Sequence, residues 1–271
     1  MTPPSTASGR ARGLGRLAAA LALATALSAC GSSGAEADPA DGGGAGGPKV
    51  VAASTWEAAF ARAAGARDVT VIVPPGITHP PDYDPKPSDI AKVAGADFVL
   101  YAAFEGFAPK LRSAAGSGAE LIELELDNGP AAVESEVTRL GGEFGTAAAA
   151  RTWLTSFDTV YAAESRKAAA AYRQAGEPPV VAQAFVTWAA EMLGARPVGT
   201  YGPQPPTASR VAELAGKKPG LVLDNSAMPG ADALSSIEAE RVTVVNFPDQ
   251  NMDLLSVYRS TVRALTTALD G

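Results

Sequence analysis

From Thr146 to Ala175 the chain runs 30 residues, "TAAAARTWLTSFDTVYAAESRKAAAAYRQA", without a glycine or a proline. Trp153, Leu154, Phe157, Val160 and Tyr161 recur at spacings of three and four, the period of one helix face. A helix of that length spans about 45 Å, more than one small domain needs. "GEPP" (176–179) ends it. Any fold for this chain must therefore place a long rod in its middle.

On both sides of the rod the pattern alternates. Before it, the β-rich runs "KVVAAS", "VTVIV", "DFVLYAA" and "AELIELEL" are separated by helix-like segments at 55–66, 88–96 and 106–116. After it come "VVAQAF", "PVGTY", "GLVLDN" and "RVTVVNF", interleaved with helix-like "FVTWAAEMLGA", "TASRVAELAG" and "DALSSIEAE" and closed by a helix over about 251–268. Strands separated by segments of about ten helical residues are the pattern of βαβ units and parallel sheets. The expected class is α/β: two small α/β lobes with mostly parallel sheets, joined by one long spine helix. The expected divisions are an N-terminal lobe at 49–145, the spine at 146–176 and a C-terminal lobe at 177–271. In "PSDIAKV", Ser88 is the expected helix cap, with Asp89 at the positive end. "ELIELEL" reads as an edge strand, with Glu123, Glu125 and Asp127 on a solvated face.

Residues 1–48 carry a different signal. Arg10, Arg12 and Arg16 precede an apolar run, Leu17 to Leu27, too short to cross a bilayer of about 30 Å as a helix. "LSAC" then ends at Cys30, the only cysteine, so no disulfide can form within the chain. The combination resembles a bacterial lipobox and predicts a signal peptide at 1–29, cleaved before a lipid-modified Cys30. Residues 30–48, rich in Gly, Ala, Asp and Pro, are expected to act as a flexible tether. Cleavage removes three arginines and no acids, taking the formal charge from −7 to −10. Such acidity excludes nucleic acid as a partner and a polybasic contact with anionic lipid, leaving the lipid anchor as the membrane attachment. No "GxSxG" is present, and "GSSG" in the tether lacks a strand-turn-helix setting, so the chain reads as no hydrolase and no enzyme.

Several strings resemble the solute-binding lipoproteins of ABC transporters for zinc and manganese. They are "VIVPPG" followed by "DYDPKPSDIAKVAGADFVLY", "YAAFEGFAPKL" with Glu105, "PQPPTASRVAEL", and "NFPD" followed by "DLLSVYRS". The resemblance implies two lobes on a spine helix, a ligand in the cleft between them, a permease partner, a monomer, and a location at the extracytoplasmic face of the cell membrane. It also implies a bound divalent ion, zinc or manganese, held by three or four histidine and carboxylate ligands. This chain has a single histidine, His79, so the usual ligand sets cannot form. The resemblance leaves His79 and Asp249 as candidate metal ligands. Asp82 and Glu105 are further cleft candidates, as are Asp224 and Asn225, which sit at a strand C-terminus, where open α/β sheets bind ligands. His79 reads either as a ligand or as a polar residue in a proline-constrained turn. Three functions stay open at this point: a metal carrier with a reduced site, the same fold with a metal chelate or small organic solute as cargo, and an envelope scaffold or sensor that has lost ligand binding.

Overall fold

In the computed structural model the described residues are 47–270 apart from 75 and 78. The signal segment, Cys30 and nearly all of the tether lie outside them. Two four-stranded sheets dominate, and every strand pair in both is parallel. The first contains β1 (Lys49–Ala52), β2 (Asp68–Val71), β3 (Phe98–Tyr101) and β4 (Glu120–Glu123), in the order β2-β1-β3-β4. The second contains β5 (Val180–Gln183), β6 (Gly199–Tyr201), β7 (Leu221–Asn225) and β8 (Glu240–Val244), in the order β6-β5-β7-β8. The two lobes therefore share one winding.

The strand sequences explain their places. β5 (VVAQ) and β7 (LVLDN) are central and buried at every position, as expected where helices cover both faces of a parallel sheet. β4 is an edge strand, and the alternation past it holds: Ile122 and Leu124 are buried while Glu123, Glu125 and Asp127 face solvent. Helices α1 (Thr55–Ala63), α2 (Pro87–Ile90, one turn), α3 (Ala108–Ala115) and α4 (Pro130–Glu143) accompany the first sheet. Helices α6 (Thr187–Met192), α7 (Ala208–Gly216) and α8 (Leu254–Leu269) accompany the second.

The rod is α5 (Ala147–Gln174), 28 residues long. Its apolar stripe packs against α8, where Phe157 and Tyr161 each lie edge-on to Tyr258, at 5.4 Å between ring centroids. Trp188 of α6 meets the same tyrosine at 5.5 Å. One continuous apolar core takes in Val50, Phe60 and Leu140 from the first lobe, Phe157 from the spine, and Leu223 and Leu265 from the second. Among the described residues no helix is long and apolar enough to cross a membrane.

Two local expectations change. "DALSSIEAE" forms only a 3₁₀ turn at Ala231–Leu234, because the Asp224 carboxylate accepts hydrogen bonds from the backbone N–H groups of Gly230 and Ala231 and fixes that segment as a turn. At α2 the capping carboxylate is Asp89, which accepts from Lys86 N at 3.1 Å and from the Tyr83 hydroxyl at 2.7 Å; Pro87 takes the first helical position.

The contact of α4 with the spine depends on a missing side chain. A Cβ on Gly141 would stand 2.5 Å from the Ala150 Cβ, well inside van der Waals contact. Gly141→Val is expected to lower stability by about 1–3 kcal/mol in chemical denaturation, as overpacking does, with partial recovery when Ala150→Gly is added.

Candidate functional site

The loops at the C-terminal strand ends of the two lobes meet face to face, and two asparagines hold the junction. Asn128, after β4, donates through Nδ2 to the Asn246 backbone carbonyl at 3.0 Å and to Asn246 Oδ1 at 3.3 Å. Asn246, after β8, donates through Nδ2 to Phe185 O at 3.0 Å. Each side-chain carbonyl also receives an indole N–H: Trp56 Nε1 donates to Asn128 Oδ1 at 3.1 Å, and Trp188 Nε1 to Asn246 Oδ1 at 3.0 Å. The Tyr258 hydroxyl donates to Asn128 O at 2.8 Å. Both asparagines are buried, and both of their side-chain polar atoms are bonded. Phe247 lies edge-on to Trp56 at 4.9 Å, and the Thr55 hydroxyl donates to Pro248 O at 2.7 Å. The middle of the interlobe cleft is thus filled by protein.

Behind the first-lobe wall lie two buried acids. Glu57 closes a capping box on α1, its Oε2 accepting from Ser54 N at 2.9 Å and from Ser54 Oγ at 2.5 Å. Its Oε1 is buried without a hydrogen-bond partner. Glu105, on the turn after β3, is 3 % exposed and accepts from Ala102 N at 3.0 Å. Burial pushes the Glu105 carboxyl up to about 9, with the negative charge of Glu57 adding to the rise and the Ala102 N–H opposing it. Burial also raises Glu57, against the hydrogen bonds from Ser54. The two carboxyls therefore resist ionising together.

The remaining candidates are spread out. His79 opens the turn Pro80–Asp82, and Gly106 N ties that turn to the Glu105 loop by donating to Pro81 O at 3.2 Å. His79 Nδ1 is 2.9 Å from Asp82 Oδ2 but lacks hydrogen-bond geometry, and the Asp82 side chain is 83 % exposed. Asp224 accepts from the Tyr201 hydroxyl at 2.7 Å as well as from its turn, and Asn225 Oδ1 accepts from Ala227 N at 2.9 Å. Both are engaged in local structure. Asp249 accepts from Asn251 N and Nδ2 at 2.9 and 3.1 Å, and it lines a pocket of about 370 Å³ at the cleft rim. Ile77 and Pro80, on either side of His79 in sequence, line the opposite wall, whereas His79 itself is not part of the lining. Among the described residues, no group of three or more His, Cys, Asp or Glu side chains could hold a metal ion.

Reasoning from sequence missed Asn128, Asn246 and Glu57. Their one signal is position: Asn128 and Asn246 lie in loops past strand ends, where an open sheet binds ligands, and Glu57 lies in the first turn of the helix that follows β1.

The comparisons with known proteins agree with this architecture. The family model "Zinc-uptake complex component A periplasmic" matches residues 50–143, most of the first lobe. No curated protein matches the chain. Among solved structures, the solute-binding protein FpvC from Pseudomonas aeruginosa in complex with Mn²⁺ is 14 % identical, with a TM-score of 0.63 over 82 % of this chain and 97 % of that one. The laminin-binding protein Lmb of Streptococcus agalactiae, described as having adhesin and metal-transporting activity, is 16 % identical, with a TM-score of 0.60 over 82 % and 99 %. The periplasmic zinc-binding protein TroA from Treponema pallidum is 16 % identical, with a TM-score of 0.59 over 83 % and 99 %. The fold is that of the metal-type solute-binding proteins, and the resemblance read from the sequence is borne out: by the family model over the first lobe, and by fold over most of the chain.

Two measurements test this description. Asn246→Ala leaves the Trp188 indole without its acceptor and Phe185 O without its donor, while Asn128 Nδ2 keeps the backbone carbonyl of residue 246, so chemical denaturation is expected to show a loss of about 2–4 kcal/mol. The folded state holds a proton on Glu105 between about pH 4.5 and about 9 that the unfolded state has released, so stability falls as pH rises through that window. Glu105→Gln keeps an acceptor for Ala102 N. It is expected to melt above the parent at pH 8, with the difference closing near pH 4.

Proposed function

We propose that this chain is the extracytoplasmic substrate-binding lipoprotein of an ABC transporter, anchored to the cell membrane through Cys30 and working as a monomer with a permease. The observation that carries this reading is the paired architecture. Two parallel sheets of the same winding share one spine, and their strand ends meet across a rim pocket, on the scaffold of FpvC, Lmb and TroA. The lipobox-like "LSAC" supports the anchor and the extracytoplasmic location. The acidic charge supports a role away from nucleic acid, and the absence of a nucleophile-elbow motif supports a carrier rather than an enzyme.

The cargo class suggested by the fold relatives is a divalent metal ion. Asp249, in the pocket lining, and His79, in the turn beside that lining, are its proposed protein ligands here, drawn together by the ion with water completing the shell. One carboxylate and one imidazole suit Mn²⁺ or weak binding better than tight Zn²⁺, which takes three or four fixed nitrogen, sulfur or oxygen ligands. The filled cleft centre favours a second reading, in which the fold carries a different solute or serves as an envelope scaffold.

Calorimetric titration of the metal-stripped mature chain separates the two. Metal carriage predicts saturable one-to-one binding of Zn²⁺ or Mn²⁺, weakened at least tenfold by His79→Ala or Asp249→Ala. Absent binding, or binding indifferent to both substitutions, moves the cargo to the second reading. The transport role is tested separately: an ABC permease should co-purify with the chain from its native membranes.

A further inference from the structure

Resting on the transport reading, we infer that the cargo site of this chain is the rim pocket rather than the cleft centre, and that it accepts a small organic cation: an ammonium group on an apolar body. Three observations carry the inference. First, the cleft centre has no room, because the two asparagines there are bonded to each other and to two indoles in a buried network. Any ligand held between the lobes must sit outside that network, and the rim pocket lies directly beside it through Phe247, whose ring packs on Trp56.

Second, the pocket has the wrong size and walls for a bare ion. Its volume of about 370 Å³ is roughly ten times the ~30 Å³ share of one water. It falls within the ~300–1,000 Å³ range of small-molecule sites. Ile77, Pro80 and Phe247 give it apolar walls, and Ile77 leaves 40 % of its surface exposed at the mouth. An apolar ligand body would cover that side chain.

Third, the polar groups of the pocket mainly accept hydrogen bonds and carry negative charge. The Thr55 hydroxyl has its proton committed to Pro248 O, which leaves its oxygen as an acceptor. Asp249 is held in place by Asn251 through two neutral donors, which fix the carboxylate without neutralising it. No ion pair to Asp249 occurs among the described residues, and no lysine, arginine or histidine is among the described lining. The Ser54 hydroxyl donates to Glu57, so among the described lining Gln250 is the side chain whose donors are not already committed within the protein. A ligand that supplies donors and one positive charge satisfies this set, whereas an anion meets the Asp249 carboxylate at the exposed mouth. A single carboxylate also falls short of the ligand number that holds a dication.

The test uses the mature full-length chain and calorimetric titration with two probes of similar shape, phenethylammonium and neutral 2-phenylethanol. The inference predicts one-to-one binding of the ammonium, at least tenfold weaker binding of the alcohol, and at least a tenfold loss of ammonium binding in Asp249→Asn. Equal binding of both probes, binding unchanged in Asp249→Asn, or no ammonium binding overturns it. Mn²⁺ or Zn²⁺ binding that depends on Asp249, with no ammonium binding, overturns the organic cargo and leaves the transport reading intact. Ammonium binding that depends on Asp249 in a chain with which no permease co-purifies supports the site and removes the transport role instead.

Discussion

A pair of buried carboxamides joins the two lobes of this molecule across the middle of the cleft. Asn128 and Asn246 come from opposite lobes, and each accepts an indole N–H from its own lobe, Trp56 and Trp188 respectively. Opening the lobes would break the Asn128–Asn246 bonds and expose the Trp56–Phe247 contact and the aromatic cluster around Tyr258. Buried polar networks of this kind stabilise only when every member is satisfied, and here the four amide and indole side chains all are. The same core continues through the spine into both sheets. The lobes are therefore one packed body, and ligand chemistry is left to the rim.

The acid pair behind the first-lobe wall belongs to the same picture. Ser54 lines the rim pocket and bonds Glu57, while the Glu105 loop supports the turn that begins at His79. Two carboxyls that cannot both ionise cheaply make this wall more stable when at least one proton is retained. The charge facing a ligand then comes from Asp249 on the second lobe rather than from the buried acids.

Much of the fold is legible in the sequence because its signals are local. The Gly- and Pro-free stretch announces the spine, the continuous apolar runs announce β5 and β7, and the alternation in "ELIELEL" announces an edge. The site is legible only in part. Asp224 and Asn225 stand at a strand end as expected, yet nothing in "VLDNS" reveals that Tyr201 and the Gly230–Ala231 turn already use the Asp224 carboxylate. Glu57 reads as an ordinary capping residue, since its burial beside Glu105 depends on how β1 and β3 pair. Asn128 and Asn246 are 118 residues apart, and neither residue type at a strand end implies the other. Their meaning exists only once the two sheets face each other.

The most direct measurement of this account is the solvent exchange of the indole N–H protons by NMR in the ligand-free chain. The half-exposed Trp153 serves as the internal reference. If the carboxamide pair holds the lobes together without cargo, the Trp56 and Trp188 indole protons exchange far more slowly than that of Trp153, and at similar rates to each other. Exchange of both as fast as Trp153 would mean that the cleft opens freely, and the claim that the lobes form one closed body would be wrong.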